Sequence, residues 1–260
     1  SGVATRPIAD CAAYKEKLSQ FVFRTGMLMK PIFERARASL QRVVFAEGEE
    51  ETVLRAVQTV VDERLARPIL IGRPAVIERR IEKLGLRIKA GEDFDLTNID
   101  DDPRFNSYWQ RYHELMERRG VNPDAAKAIV RSRVTVVAAL MLDRGEADAM
   151  ICGIVGRYQR KLQHILSVIP RDPGVQSLAA MTAVANDRGT FFFLDTHVQA
   201  DPTAEQIAEA TLQAAFRLKL FGIVPKIALR SHSNFGSHDN PRAVKLRKVR
   251  ELVLARAPRL

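Results

Sequence analysis

Apolar and polar positions along this chain fall into blocks that switch between strand-like and helix-like periods. Short apolar runs at 42–46 and 68–71 read as strands, and the helical spacings that follow each of them, over 50–65 and 74–84, predict a βαβ alternation and therefore a parallel sheet. The stretch 85–102 is polar and irregular, with a strand expected near Phe94. Helices are expected at 103–119, 123–131 and 133–144, the second opened by Asn122 and Pro123, which suit the cap and first helical positions. A strand at 148–151 closes this first half.

A second α/β unit is expected to begin near residue 155. Phe191, Phe192, Phe193 and Leu194 form a continuous apolar run, the pattern of a strand covered on both faces. Asp201 as cap and Pro202 as first position open a helix in which Ile207, Ala210, Ala214, Leu218 and Phe221 recur at helical spacing, and Gly222 stops it. Lys226–Leu229 reads as the next strand, with the polar loop Ser231–Ser237 leaving its carboxyl end. That edge of an open α/β sheet is where helix N-termini and loop amides converge on ligands. Ahead of the first strand, residues 10–39 read as one or two amphipathic helices interrupted near Gly26 and Pro31, whose apolar members Leu18, Phe21, Val22, Leu28 and Phe33 need a surface to bury against. The expected organisation is a helical connector over 1–39, a first α/β subdomain over 40–152 and a second over 153–260, incomplete at its C-terminal end.

Composition narrows the class without naming a function. The 260 residues and 46% hydrophobic content suffice for a sizeable core. The two cysteines, Cys11 and Cys152, form no metal-binding or redox spacing, and a reducing cytoplasm is the expected setting. No apolar stretch approaches the roughly 20 residues that cross a bilayer, and no signal-peptide pattern opens the sequence, which argues against a membrane role. The net charge of +10 raises the question of a polyanionic partner. Seven Lys or Arg against Glu251 alone lie between Pro241 and Leu260, a local balance of 7 − 1 = +6. Their helical spacing suggests a solvated helix face, and no zinc-finger, RRM or basic-zipper pattern accompanies them, which argues against nucleic acid. A phosphate-rich small ligand such as coenzyme A is another use for the charge.

Two places carry candidate chemistry. Gly153 and Gly156 bracket the turn between strand 148–151 and a helix bearing Arg157 and Arg160; glycines let backbone amides approach a phosphate, and a guanidinium adds a charge-assisted bond. A tight strand-to-helix turn accounts for the same residues. Ser231, Ser233, Asn234, Gly236 and Ser237 offer hydroxyl, amide and backbone donors suited to an oxyanion. A hydrolase triad built from Ser231, His232 and Asp195 fails on geometry, because adjacent side chains on an extended strand point to opposite faces. Asp195 and His197 suit a structural hydrogen bond, and Cys152 suits a small buried residue better than a nucleophile. The acids Glu47, Glu49, Glu50 and Glu51 sit where a dinucleotide-binding fold would place glycines; they complement a helix dipole and repel a pyrophosphate.

The segments VVFAEGEEETVLRAV, RPILIGRPAVI, GEADAMICGIVG and FFLDTHVQADPTAEQIAEATLQAA, followed by SHSNFGS and VRELVLARAPRL, resemble in order the phosphate acetyltransferase family. The variants CGIVGRYQRKLQHI and SHSNFGS look closer to the acetyltransferase-like C-terminal region of multidomain NADP-dependent malic enzymes, and the segment over 4–38 resembles their connector. The resemblance implies a parallel-sheet α/β module of two subdomains behind a helical connector, and a chain that is a C-terminally truncated piece of such an enzyme. It also implies that the family's catalytic Asp and Ser-Arg pair would follow Leu260, so that no catalytic residue is assigned here. Where acetyltransferases place small hydroxylated residues and His after the turn glycine, this chain has Gly156, Arg157 and Tyr158, a change that alters an acetyl phosphate pocket.

The expected function is a regulatory and oligomerising module, at least dimeric, that binds acetyl-CoA or a related acyl-CoA as effector and biases a malic-enzyme domain of the same parent. NADP and a divalent metal are expected only on that other portion, which would decarboxylate malate oxidatively to pyruvate. Two further readings stay open: an active phosphate acetyltransferase, and an assembly module that binds no ligand.

Overall fold

The computed structural model describes residues 10–14, 29–30, 32–186, 188–231 and 237–260. They divide into two compact units, Ser1–Pro170 and Arg171–Leu260. The division falls after Pro170, where the sequence suggested 152/153, because the helix that follows the fourth strand packs back onto the first unit.

The first unit is built on four parallel strands, β1 (Arg42–Phe45), β2 (Arg67–Ile71), β3 (Asp95–Thr97) and β4 (Ala149–Ile151), in the order β3-β2-β1-β4. Registers such as Val44 opposite Ile69 and Met150 fix the ladder. β1 and β2 split their side chains between two cores, as the pleat requires. Val44, Ile69 and Ile71 face a cluster with Tyr108, Tyr112, Val130 and the run Val136–Met141, whereas Phe45 and Leu70 face Val53, Leu54, Val57 and Ile77. Helices α1 (Glu51–Asp62) and α2 (Pro74–Leu84) therefore cover one face, and α3 (Phe105–Met116), α4 (Pro123–Ser132) and α5 (Val134–Asp143) cover the other. Three layers, with both faces of β1 and β2 covered, explain why these two strands read as continuous apolar runs.

Local sequence accounts for most helix ends. Pro74 occupies the first turn of α2, and Gly85 ends it in the left-handed region at φ 63. The Asn122 side chain accepts the Ala125 N–H and Pro123 follows it, opening α4 as the sequence suggested. Residues 135–141 of α5 are buried all round, so this helix is a central core element without an amphipathic pattern. A 3-10 turn at Glu117–Arg119 completes α3, and α6 (Tyr158–Leu166) packs against α5.

The second unit departs from the expected parallel arrangement. Strands β5 (Met181–Asn186) and β6 (Gly189–Leu194) form an antiparallel hairpin, and the following helices α7 (Ala204–Leu220) and α8 (Pro241–Arg256) pack through Ala204, Ala208, Val249 and Val253. The small alanines of α7 allow the helices to approach closely. Phe191–Leu194 is not covered on both faces: in a two-stranded hairpin the alternation leaves Phe191 and Phe193 46% and 48% exposed. Lys226–Leu229 forms no strand, since no described segment lies alongside to complete a ladder. The cap of α7 is Thr203, not Asp201; its hydroxyl accepts the Gln206 N–H while the Gln206 side chain accepts the Thr203 N–H, a reciprocal capping box. Asp201 instead pairs with Lys245 at 2.6 Å. The apolar positions placed on the connector at Leu18, Phe21, Val22 and Leu28 lie outside the described residues.

Candidate functional site at the β1 and β4 turns

The carboxyl end of β1 turns through Glu47, Gly48 and Glu49 into α1, beside the turn from β4 into α6. Gly48 is there for close approach: its N–H bonds the Ile71 carbonyl at 3.1 Å, and a Cβ would come within 2.8 Å of that same oxygen. Glu49 is held by a two-pronged Arg73 guanidinium at 2.8 and 2.8 Å and by the Arg73 N–H at 2.9 Å, and Arg80 bonds its carbonyl. The Arg73 hydrogen bond is the main reason the Glu49 carboxyl lies below its ordinary range. These acids therefore hold the loop together in addition to complementing the α1 dipole.

Glu47 points the other way, into the β4–α6 turn. Its carboxylate accepts the Gly153 N–H at 3.1 and 3.3 Å and pairs with the Lys161 ammonium at 2.5 Å. Lys161 also donates to the Thr135 hydroxyl at 3.1 Å, and Thr135 is buried at the first turn of α5. Both side chains are largely withdrawn from solvent, Glu47 at 8% and Lys161 at 18%. Gly153 adopts φ 110 and Gly156 φ 94, values that disfavour any side chain, so the tight turn demands glycine at both positions. Burial, then the Glu47 charge, raises the Cys152 thiol above its ordinary value and keeps it protonated. His164, one turn beyond Lys161, is held below its ordinary value by burial and by the charges of Arg133, Lys161 and Arg160; its Nδ1 is buried without a hydrogen-bond partner among the described residues.

Gly153, Gly156, Arg157 and Arg160 thus come together at one turn, with Arg157 in the cap position of α6 and both guanidinium side chains on exposed residues. Ser231 and Ser237 belong to the second unit, and His232, Ser233, Asn234 and Gly236 lie outside the described residues. Asp195 is structural. Burial acts against its charge, but N–H groups of Val198, Ala180, His197 and Gln199 outweigh it and lower its pKa. The carboxylate so organises the loop that leads toward α7. Glu47 and Thr135 were not legible as partners of Lys161, because 114 and 26 residues separate Lys161 from its two acceptors.

Among the described residues no three His, Cys, Asp or Glu side chains converge as they would around a metal ion, and no helix is long and apolar enough to cross a membrane. A cavity of about 340 Å³ in the second unit is lined by Thr211, Ile227, Leu229, Arg250, Val253, Leu254 and Leu260.

The chain is 52% identical over its whole length to an NADP-dependent malic enzyme of Escherichia coli (strain K12), and 50% identical to an NAD-dependent malic enzyme of Rhizobium meliloti (strain 1021). It spans about a third, 34%, of the length of each. Its fold superimposes on a phosphotransacetylase from Streptococcus pyogenes with a TM-score of 0.80 and 26% identity, covering 90% of this chain and 70% of that one. Residues 27–260 match the phosphate acetyl/butaryl transferase family, and with the three-layer parallel sheet in agreement the chain belongs to that family.

Proposed function

We propose that this chain is the phosphotransacetylase-like part of a malic enzyme, that it binds acetyl-CoA as an allosteric effector, and that it does not itself transfer acetyl groups. Identity along the whole chain to a third of two malic enzymes supports the parentage. The remaining two thirds would then carry the NADP and divalent-metal sites and the oxidative decarboxylation of malate to pyruvate. The observation that supports the non-catalytic reading is the pair of bulky, exposed residues Arg157 and Tyr158 after Gly156, where the family resemblance implies small hydroxylated residues. Side chains of that size alter the space in which an acetyl phosphate would be held. Arg157 and Arg160 stand exposed beside the turn, able to meet the phosphates of a coenzyme A chain.

Effector action requires acetyl-CoA to bind two conformational states of the parent with different affinity. Homo-oligomerisation fits the same reading. The uncovered hairpin face with Val184, Phe191 and Phe193, together with Phe216, Leu220 and Phe221 around the end of α7, is apolar surface of the kind assembly buries.

A second reading is active acetyl transfer, in which the coenzyme A thiolate forms a C–S bond to the acetyl carbon as the C–O bond to phosphate breaks and phosphate leaves. Family membership and the likeness to the phosphotransacetylase bear on this reading more directly than on the effector role. Two measurements on the whole protein separate them. Saturable calorimetric binding of acetyl-CoA with a matching change in malate oxidation, and no acetyl-CoA made from acetyl phosphate and coenzyme A, is the expected result. Sustained acetyl-CoA production would establish the transferase instead.

A further inference from the structure

Lys161 stands behind the two guanidinium groups that the effector reading gives to the phosphates of coenzyme A, and its role deepens that reading and rests on it. Residues 153–160 are all exposed, so burial fixes neither Arg157 nor Arg160. Helix α6 itself has no buried residue and no side-chain cap at its N-terminus. A stretch of this kind must be ordered when a ligand binds, at a cost in affinity, unless something holds it beforehand. Lys161 is where it turns inward, its side chain 18% exposed. The backbone N–H groups of Arg160 and Lys161 both donate to the Arg157 carbonyl, at 3.1 and 3.2 Å, which joins the two arginines to the base of the lysine stem. The stem passes Gly156, where an added Cβ would lie 3.7 Å from the Lys161 Cε. Its ammonium then reaches Glu47 at 2.5 Å, just past the end of β1, and the Thr135 hydroxyl at 3.1 Å, in the first turn of α5. Both anchors belong to interior elements, since β1 lies between β2 and β4 and residues 135–141 of α5 are buried. Because the same carboxylate accepts the Gly153 N–H, the turn is tied at both of its ends to one acid.

We propose that Lys161 is a positioning residue: without touching the ligand, it holds the turn over 153–160 against β1 and α5, so that Arg157 and Arg160 meet the phosphates of an acyl-CoA in a fixed arrangement. Glu47 matches its charge, so Lys161 adds no attraction of its own for an anion, and its contribution to affinity is the ordering of its neighbours.

The test is a double-mutant cycle on the whole protein, with acetyl-CoA as the titrated ligand and calorimetry as the readout. Circular dichroism shows whether each variant is folded. K161M is expected to weaken acetyl-CoA binding about tenfold, inside the range that residues of one network show, and K161R, which keeps a cation within reach of Glu47, to restore most of it. R160A should weaken binding in the otherwise unchanged protein and add little in the K161M background. A merely structural lysine would lower the melting temperature and leave the cycle additive. Equal affinity in K161M and the unchanged protein therefore overturns the proposal, as do fully additive losses. If K161M does not fold, Thr135→Val removes one anchor and leaves the ion pair in place. A smaller loss of affinity then supports the proposal, and no loss overturns it. Amide hydrogen exchange on the same variants without ligand keeps the two conclusions apart. Failure of the unchanged protein to bind acetyl-CoA overturns the effector reading. Faster exchange confined to residues 153–161 would still support Lys161 as the tie, and exchange like that of the unchanged protein would overturn it.

Discussion

Arg42, at the start of β1, closes on Asp148, which lies 106 residues later just before β4. Its guanidinium donates to the two carboxylate oxygens at 3.1 and 2.7 Å, its backbone N–H donates to the same group at 2.8 Å, and its Nη2, which makes the shorter of the two guanidinium bonds, also reaches the Gly145 carbonyl at 2.9 Å. The pair ties the entry of β4 to the strand it lies beside, and so helps set the register that places Gly153 over Glu47. Hydrogen bonds from the Arg42 side chain, then from its backbone, hold the Asp148 carboxyl down to about 2 from an ordinary 3.8.

Because the folded value lies below the unfolded one, this contact stabilises the protein fully above about pH 4 and ceases to do so as pH falls toward 2. Asp148→Asn should therefore lower the melting temperature at pH 7 and flatten its decline between pH 4 and 2. Thermal melts of the two proteins across that range check it. An unchanged acid slope would show that the pair contributes nothing to stability.

Gly48→Ala should destabilise the first unit by about 1–3 kcal/mol, since overpacking must be relieved by shifts in its surroundings. The added Cβ meets the Ile71 carbonyl at 2.8 Å and the Leu70 Cβ at 2.9 Å, backbone and near-backbone atoms of a central strand. Urea unfolding measures the loss. The same variant should weaken whatever ligand binding depends on the β1 turn, because Glu47 and Glu49 flank Gly48.

Thr203→Ala should cost about 1 kcal/mol through the lost cap of α7. Asp201→Ala, by contrast, removes an exposed partner of Lys245 and should cost less than the lost cap, because solvent screens the pair. Equal losses in parallel denaturation curves would contradict the assignment of Thr203 as the cap.

The Cys152 thiol should react slowly with iodoacetamide at neutral pH compared with glutathione, because burial and then Glu47 disfavour its thiolate. Its rate should go on rising to a higher pH than that of an ordinary thiol. Peptide mapping after timed alkylation separates Cys152 from the exposed Cys11.

The strand and helix pattern of the first unit was legible because each of its elements carries its own signal. β1 and β2 are apolar on both faces, α2 runs from Pro74 to Gly85, and α4 is opened by Asn122 and Pro123, all within a few residues of chain. The Gly153–Gly156 turn was legible for the same reason, since positive φ restricts the residue itself. Pairing carries no such local mark. An apolar run such as Phe191–Leu194 has the same composition in a buried parallel strand as in an exposed hairpin, and only a neighbouring Met181–Asn186 running antiparallel decides between them. Asp201 and Thr203 are both good capping residues, and the choice went to the one whose hydroxyl faces Gln206 while Lys245 of α8 drew off the other.

Sequence alone determined the fold class of this protein and the residues of the β4–α6 turn, because periodicity, caps and glycine conformations act over distances the chain itself spans; its family was legible in the resemblance of whole segments. Only the tertiary structure decided what that turn holds. The Glu47 carboxylate reaches Gly153 and Lys161 across 106 and 114 residues, and its choice of partner follows from the parallel pairing of β1 with β4, a long-range contact that no local pattern encodes.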